Sequence, residues 1–215
     1  MGCCKSSLYI NTLRSHRSNS TRISSSFTQT EMIQLGTILS NIPDHYQEAI
    51  INLPARKLLN FYQYHLMALY YGLQREWLLA IVCEQYAIKG LQALMPTEKD
   101  HYIFFNFYSV LSACFLALGE IETAIKGLHI TLDILLKHTP MDYKTISNHY
   151  YHLGNAYRTI QNWEAALQSL TQAIEIAQLS NDLDQEYIHN LETNFQLIKK
   201  QVANNILCNL ILSKA

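Results

Sequence analysis

Along most of this chain apolar residues return every three or four positions, the spacing of one face of an α-helix, and the pattern breaks at a few prolines and glycines. Thr30 is placed to cap a helix carrying Met32, Leu35, Ile38, Leu39 and Ile42, which Pro43 stops. A short segment follows through Ile51. Pro54 suits the first turn of a long helix to about Leu73, and its partner runs from about Gln74 to Leu94, ended by Pro96. A second pair begins near Glu98 with HYIFFNFYSVLSACFLALG, turns at Gly119 and returns from Ile121 to about Lys137. After the linker HTPMD a third pair occupies about 143–160 and 162–178. A final helix puts Leu183, Tyr187, Leu191, Phe195 and Ile198 on one face, and NNILCNLILSKA continues it. The pattern predicts an all-α protein.

The third pair has the most informative residues. Tyr150, Leu153, Gly154 and Tyr157 share one face of its first helix, and Ala166, Leu170 and Ala173 share one face of its second. Gly154 and Ala166 let two backbones approach closely, while the large residues fill the space around the contact. An aromatic, then Leu-Gly, Tyr, Ala, a bulky residue and Ala resembles the tetratricopeptide (TPR) signature, with Gln178 where the closing Pro would stand. The same frame recurs upstream. Ala166 matches Ala124, 42 residues earlier, and Ala124 matches Ala80, 44 residues earlier. Tyr64, Tyr108 and Tyr150 align, as do Met67, Leu111 and Leu153, then Ala68, Ser112 and Gly154, then Tyr71, Phe115 and Tyr157. Trp77, Ile121 and Trp163 open the second helices. Two residues depart from the frame: Glu84 at a bulky apolar position and Thr131 at a small one. The resemblance implies a right-handed superhelical solenoid of three TPR-like hairpins near 61–95, 105–137 and 147–179. It would have a flanking N-terminal helix and a capping helix near 182–205. Repeats of 42–44 residues are longer than the 34-residue form and are similar to those of kinesin light chain.

Composition changes the picture mainly at the N-terminus. Residues 1–30 hold Lys5, Arg14, Arg17 and Arg22, no Asp or Glu, and many Ser and Thr, which reads as a disordered arm preceding a helical domain over 31–215. Its start, MGCCKSS, fits the myristoylation pattern, with Gly2 exposed after Met removal and Ser6 in place. It resembles dual-acylated termini, with myristate on Gly2 and palmitate on Cys3 and Cys4; a second chain turns marginal membrane binding into durable binding. An acid-free Ser/Arg-rich arm is also the composition of a mitochondrial transit peptide, so both readings stand, and so does a plain tail. Expected localisation is cytoplasmic, at a membrane face if the arm is acylated, and mitochondrial if it is a leader. No apolar h-region of a secretory signal follows the basic residues. A net charge of −1 gives no support for nucleic-acid binding. Five Cys without paired spacing suggest reduced thiols.

Candidate chemistry is sparse. His149 and His152 lie three apart on a helix, but no third or fourth ligand sits at metal-binding spacing, so no metal and no cofactor is expected. Cys83, Cys114 and Cys208 fall in apolar helical stretches and read as core residues. No nucleophile elbow, Walker loop or dinucleotide fingerprint is present. The apolar run around Phe104–Leu118 is too short for a membrane span and suits a helix covered on two sides. What remains is the face that first helices present in TPR proteins, a groove for an extended peptide or a helix. Carrying the family's groove positions over gives Tyr62, His65 and Leu69; Asn106, Ser109 and Ala113; and Asn148, Tyr151, Asn155 and Arg158. The carboxylate clamp of chaperone-binding members needs several Lys, Arg and Asn together, and only Asn155 and Arg158 resemble parts of it. The expected function is a non-enzymatic adaptor holding a protein partner in this groove and tethered by an acylated arm. An organellar assembly factor whose arm is cleaved on import is the alternative.

Overall fold

The structure, a computed structural model of the chain, describes residues 53–98, 100–180 and 184–212, without the side chains of Ala55 and of 205–212. The N-terminal arm with Gly2, Cys3 and Cys4, and the helix expected from Thr30 to Ile42, lie outside the described residues. Seven α-helices and no strand are found among the described residues: α1 Ala55–Leu73, α2 Trp77–Leu94, α3 Phe104–Leu118, α4 Ile121–His138, α5 Tyr143–Thr159, α6 Trp163–Leu179 and α7 Gln185–Leu212. The chain divides into two compact units, Met1–Tyr64 and His65–Ala215, with the division inside α1. In the first, the described residues include the buried Leu58 and Leu59. The second holds everything that follows.

In the second unit the extensive packing joins chain neighbours, α2 with α3, α3 with α4, and so on to α6 with α7. Three tight turns, between α1 and α2, α3 and α4, and α5 and α6, share one backbone geometry. Arg75, Gly119 and Gln161 each have positive φ, at 61°, 81° and 59°. Their N–H groups donate to the carbonyls of Gly72, Leu116 and Arg158. The next N–H groups, of Glu76, Glu120 and Asn162, donate to Tyr71, Phe115 and Tyr157, each at 2.9 Å. The carbonyls of Glu76, Glu120 and Asn162 then accept from the N–H groups of Ala80, Ala124 and Ala166 at the start of the following helix. Each first helix therefore closes its last carbonyls through a left-handed residue, and each second helix starts at once. This turn is why α2 begins at Trp77 and not near Gln74. Only Gly119 advertises it in sequence, because the hydrogen bonds belong to the backbone and hold Arg75 and Gln161 in the same conformation.

The small residues meet the expectation of close approach. Ala80, Ala124 and Ala166 have no exposed surface; Ala68, Ser112 and Gly154 are buried, as are Ala87, Thr131 and Ala173. Thr131 fits an apolar site because its Oγ1 donates to Leu128 O at 2.8 Å within its own helix. At Gly154, an added Cβ would lie 2.8 Å from Leu170 Cγ and 3.3 Å from Ala166 O, so glycine is what lets α5 seat on α6. In the α3–α4 pair the arrangement is reversed: Ser112 stands at the position of Gly154, and glycine is across from it at Gly127. Larger side chains fill the rest. Ile125, Leu128, Leu132 and Leu135 of α4 pack with Ile146, Leu153 and Ala156 of α5. Leu191 of α7 joins Ala173 and Ala177, and Ile198 joins Ala166 and Leu170. Met67 differs from its counterparts: Leu153 is buried and Leu111 half-buried, whereas Met67 is 43% exposed.

Polar caps sharpen the third pair. Asp142 accepts from Thr145 N and Asn162 from Ala165 N, both at 3.2 Å, which satisfies helix-end donors on α5 and α6. The apolar α3 begins at Phe104 and not at His101, because His101 Nδ1 accepts from Ile103 N and holds a turn there. No described helix is long and apolar enough to cross a membrane.

Candidate functional site

The first helices of successive pairs touch one another. The His65 ring on α1 lies 4.5 Å from Phe107 on α3. Phe105 and Ser109 on α3 meet His149 on α5, at 5.3 Å between rings and 3.4 Å to Nε2. Ser147 on α5 donates to Ala173 O at 2.8 Å and sits 3.1 Å from Tyr187 Oη on α7, tying three helices at one hydroxyl. Asn194 Nδ2 reaches Tyr151 Oη at 3.5 Å.

The residues carried over by resemblance are presented unequally. Asn106 and Ala113 are exposed on α3, with Ser109 half-buried between them. Asn148, Tyr151, Asn155 and Arg158 are half-buried on α5, and Leu69 on α1 is exposed. Tyr62 is half-buried on the part of α1 that belongs to the first unit. His65 departs from the expectation of an open face. It is buried, and its Nδ1 lies 2.7 Å from Glu84 Oε1 on α2. A helix position copied from a family frame does not register that a carboxylate on the facing helix draws the ring inward.

The part of this surface formed by α3, α5 and α7 is amide-rich and nearly uncharged, with Arg158 its one charge among the carried-over residues. Asn and Tyr side chains offer both donors and acceptors. Asn194 was missed by the sequence reading. The spacing that selects Tyr187, Leu191 and Ile198 also selects Asn194, but its polarity hid it in an apolar pattern. Exposed apolar side chains concentrate elsewhere, on α1 and α2, where Leu73, Leu78 and Val82 are 83%, 68% and 63% exposed.

The described histidines and cysteines are held separately, each by its own surroundings. His149 has one ring nitrogen 2.9 Å from Thr145 O and the other near Ser109, so it does not join the exposed His152 as a ligand. Burial holds its pKa below the usual imidazole value. Among the described residues no group of three His, Cys, Asp or Glu side chains converges as a metal would require. Cys83 and Cys114 are buried, and burial followed by the nearby Glu84 pushes both thiols up, away from the reactive thiolate. The Cys208 side chain lies outside the described residues. Lys137 pairs with the exposed Asp100, which it holds below the ordinary carboxylate pKa. No family model matches the chain, and no curated protein matches it in sequence.

Proposed function

We propose that the chain is a TPR-like solenoid adaptor that binds an extended segment of a partner protein along its first helices, with an acylated N-terminal arm as tether. The observation that carries the reading is the turn geometry repeated at Arg75, Gly119 and Gln161, in the same register as the buried Ala80, Ala124 and Ala166. A unit repeated in this way favours stacked hairpins, and stacked hairpins align their first helices. The amide-rich faces of α3, α5 and α7 favour a peptide whose main chain is read by side-chain amides. The tether rests on MGCCKSS alone.

Two measurements test the two halves. A photo-crosslinking residue at Asn155 captures the partner, the same residue at Glu175 does not, and Tyr151→Ala weakens capture; equal capture at both positions refutes the groove. Intact mass from eukaryotic cells shows a myristoyl group that Gly2→Ala removes along with membrane association. A chain missing its first few dozen residues supports the imported assembly factor instead.

A further inference from the structure

The second helices carry Leu128 and Leu170 at one buried position of the frame, and α2 carries Glu84 there with no exposed surface. Its Oε1 is paired with His65 Nδ1 on α1, and the His65 ring lies tilted against Phe107 of α3. Glu84 Oε2 is enclosed and has no hydrogen-bond partner among the described residues. Among the described residues, Cys83 on the same helix and Cys114 on α3 also face this charge, and both thiols respond to Glu84. A carboxylate is a poor occupant of such a site unless its charge is met, because it is fully buried and one of its oxygens has no donor.

We propose that the Glu84–His65 pair is a pH-responsive fastener: one proton shared between carboxyl and imidazole holds α2 in place, and its loss to solvent loosens α2. With the proton present the pair is neutral overall, as Glu⁻·HisH⁺ or as GluH·His. With it gone, a net negative charge stays buried beside Phe107 and two protonated thiols. The pH window follows from burial, which raises the carboxyl to about 7. A folded-state pKa above the unfolded one means that the stabilisation is complete below about 4.5 and is lost as pH rises through about 7.

Hydrogen exchange on the full chain, corrected for the chemical rate, tests this at pH 6 and pH 8. Linkage between a pair that keeps its one proton up to about 7 and an opened state in which a carboxyl at 4.5 and a free imidazole at about 6.5 titrate separately gives an opening constant for α2 about twofold larger at pH 8. Glu84→Gln, which keeps the shape and removes the titration, makes α2 respond no more than α6. Uniform protection of α2 in the wild type at both pH values, or an undiminished response in Glu84→Gln, overturns the proposal. Should Glu84→Gln fail to fold by circular dichroism, His65→Leu/Glu84→Leu replaces it, restoring the leucine of the other second helices. An undiminished pH response in that variant overturns the proposal equally.

Discussion

Gly154→Ala isolates the close approach of α5 and α6. The new Cβ would meet Leu170 Cγ at 2.8 Å and Cδ2 at 3.0 Å, against an ordinary carbon–carbon separation of about 3.5–4.0 Å. Leu170 has no exposed surface into which to retreat, and Ala166 O, 3.3 Å away, belongs to the backbone. Overpacking of this kind costs about 1–3 kcal/mol, while alanine in a helix interior recovers about 1 kcal/mol over glycine. The expected net loss is about 0–2 kcal/mol. Leu170→Ala alone leaves a cavity and costs about 2–5 kcal/mol. In that background the methyl group added by Gly154→Ala has room, so the substitution becomes neutral or stabilising, by up to about 1 kcal/mol. The double-mutant cycle, read by urea denaturation with far-UV circular dichroism, therefore yields a coupling of about 1–3 kcal/mol. Additivity within about 0.5 kcal/mol would refute the claim that Gly154 is dictated by Leu170.

Three further outcomes follow from particular contacts. Gly127→Ala is destabilising because its Cβ would lie 2.2 Å from Ser112 Oγ, and Ser112→Gly in the same chain rescues it; melting temperatures of the single and double variants decide. At Gly119 an added Cβ meets nothing within 4 Å, so Gly119→Ala costs about 1 kcal/mol through φ alone, whereas Gln161→Gly at the equivalent turn is neutral or stabilising in denaturation. Burial lowers the His149 pKa, so its contribution is present above the usual imidazole value and is lost as pH falls through the lowered one. Urea midpoints therefore drop on acidification in the wild type and drop less in His149→Gln.

The helical class and the small buried positions were legible because both depend on residue type at fixed spacing. Alanine at 80, 124 and 166 marks a place where only a methyl fits, and each of the three has no exposed surface. The left-handed turn was legible only at Gly119. Arg75 and Gln161 adopt it under backbone hydrogen bonds, which leave no residue preference to read. Glu84 stood out as a departure from the frame, yet nothing in the sequence linked it to His65, 19 residues away on a neighbouring helix. Of the candidate surface, Asn106, Asn148 and Asn155 could be placed by helical register, but Asn194 joins it only through the packing of α7 on α5 and α6. The volume exchange between Ser112 and Gly127 was hidden for a related reason: it is a property of a pair, and each residue alone looks ordinary.

The turns at Arg75, Gly119 and Gln161 also bear on how the chain finds its fold. Each joins two helices through only a few residues, so closing a pair fixes little loop entropy. With the main contacts lying between consecutive helices, the sequence separation of contacting residues stays short. Chains of that kind fold in about microseconds to milliseconds, and their hairpins form before distant parts are needed. Of the described helices, α1 and α2 leave the ribosome first during synthesis, without the leucine that α4 and α6 place at the Glu84 position. Until α3 follows, the His65 ring lacks the Phe107 face it lies against.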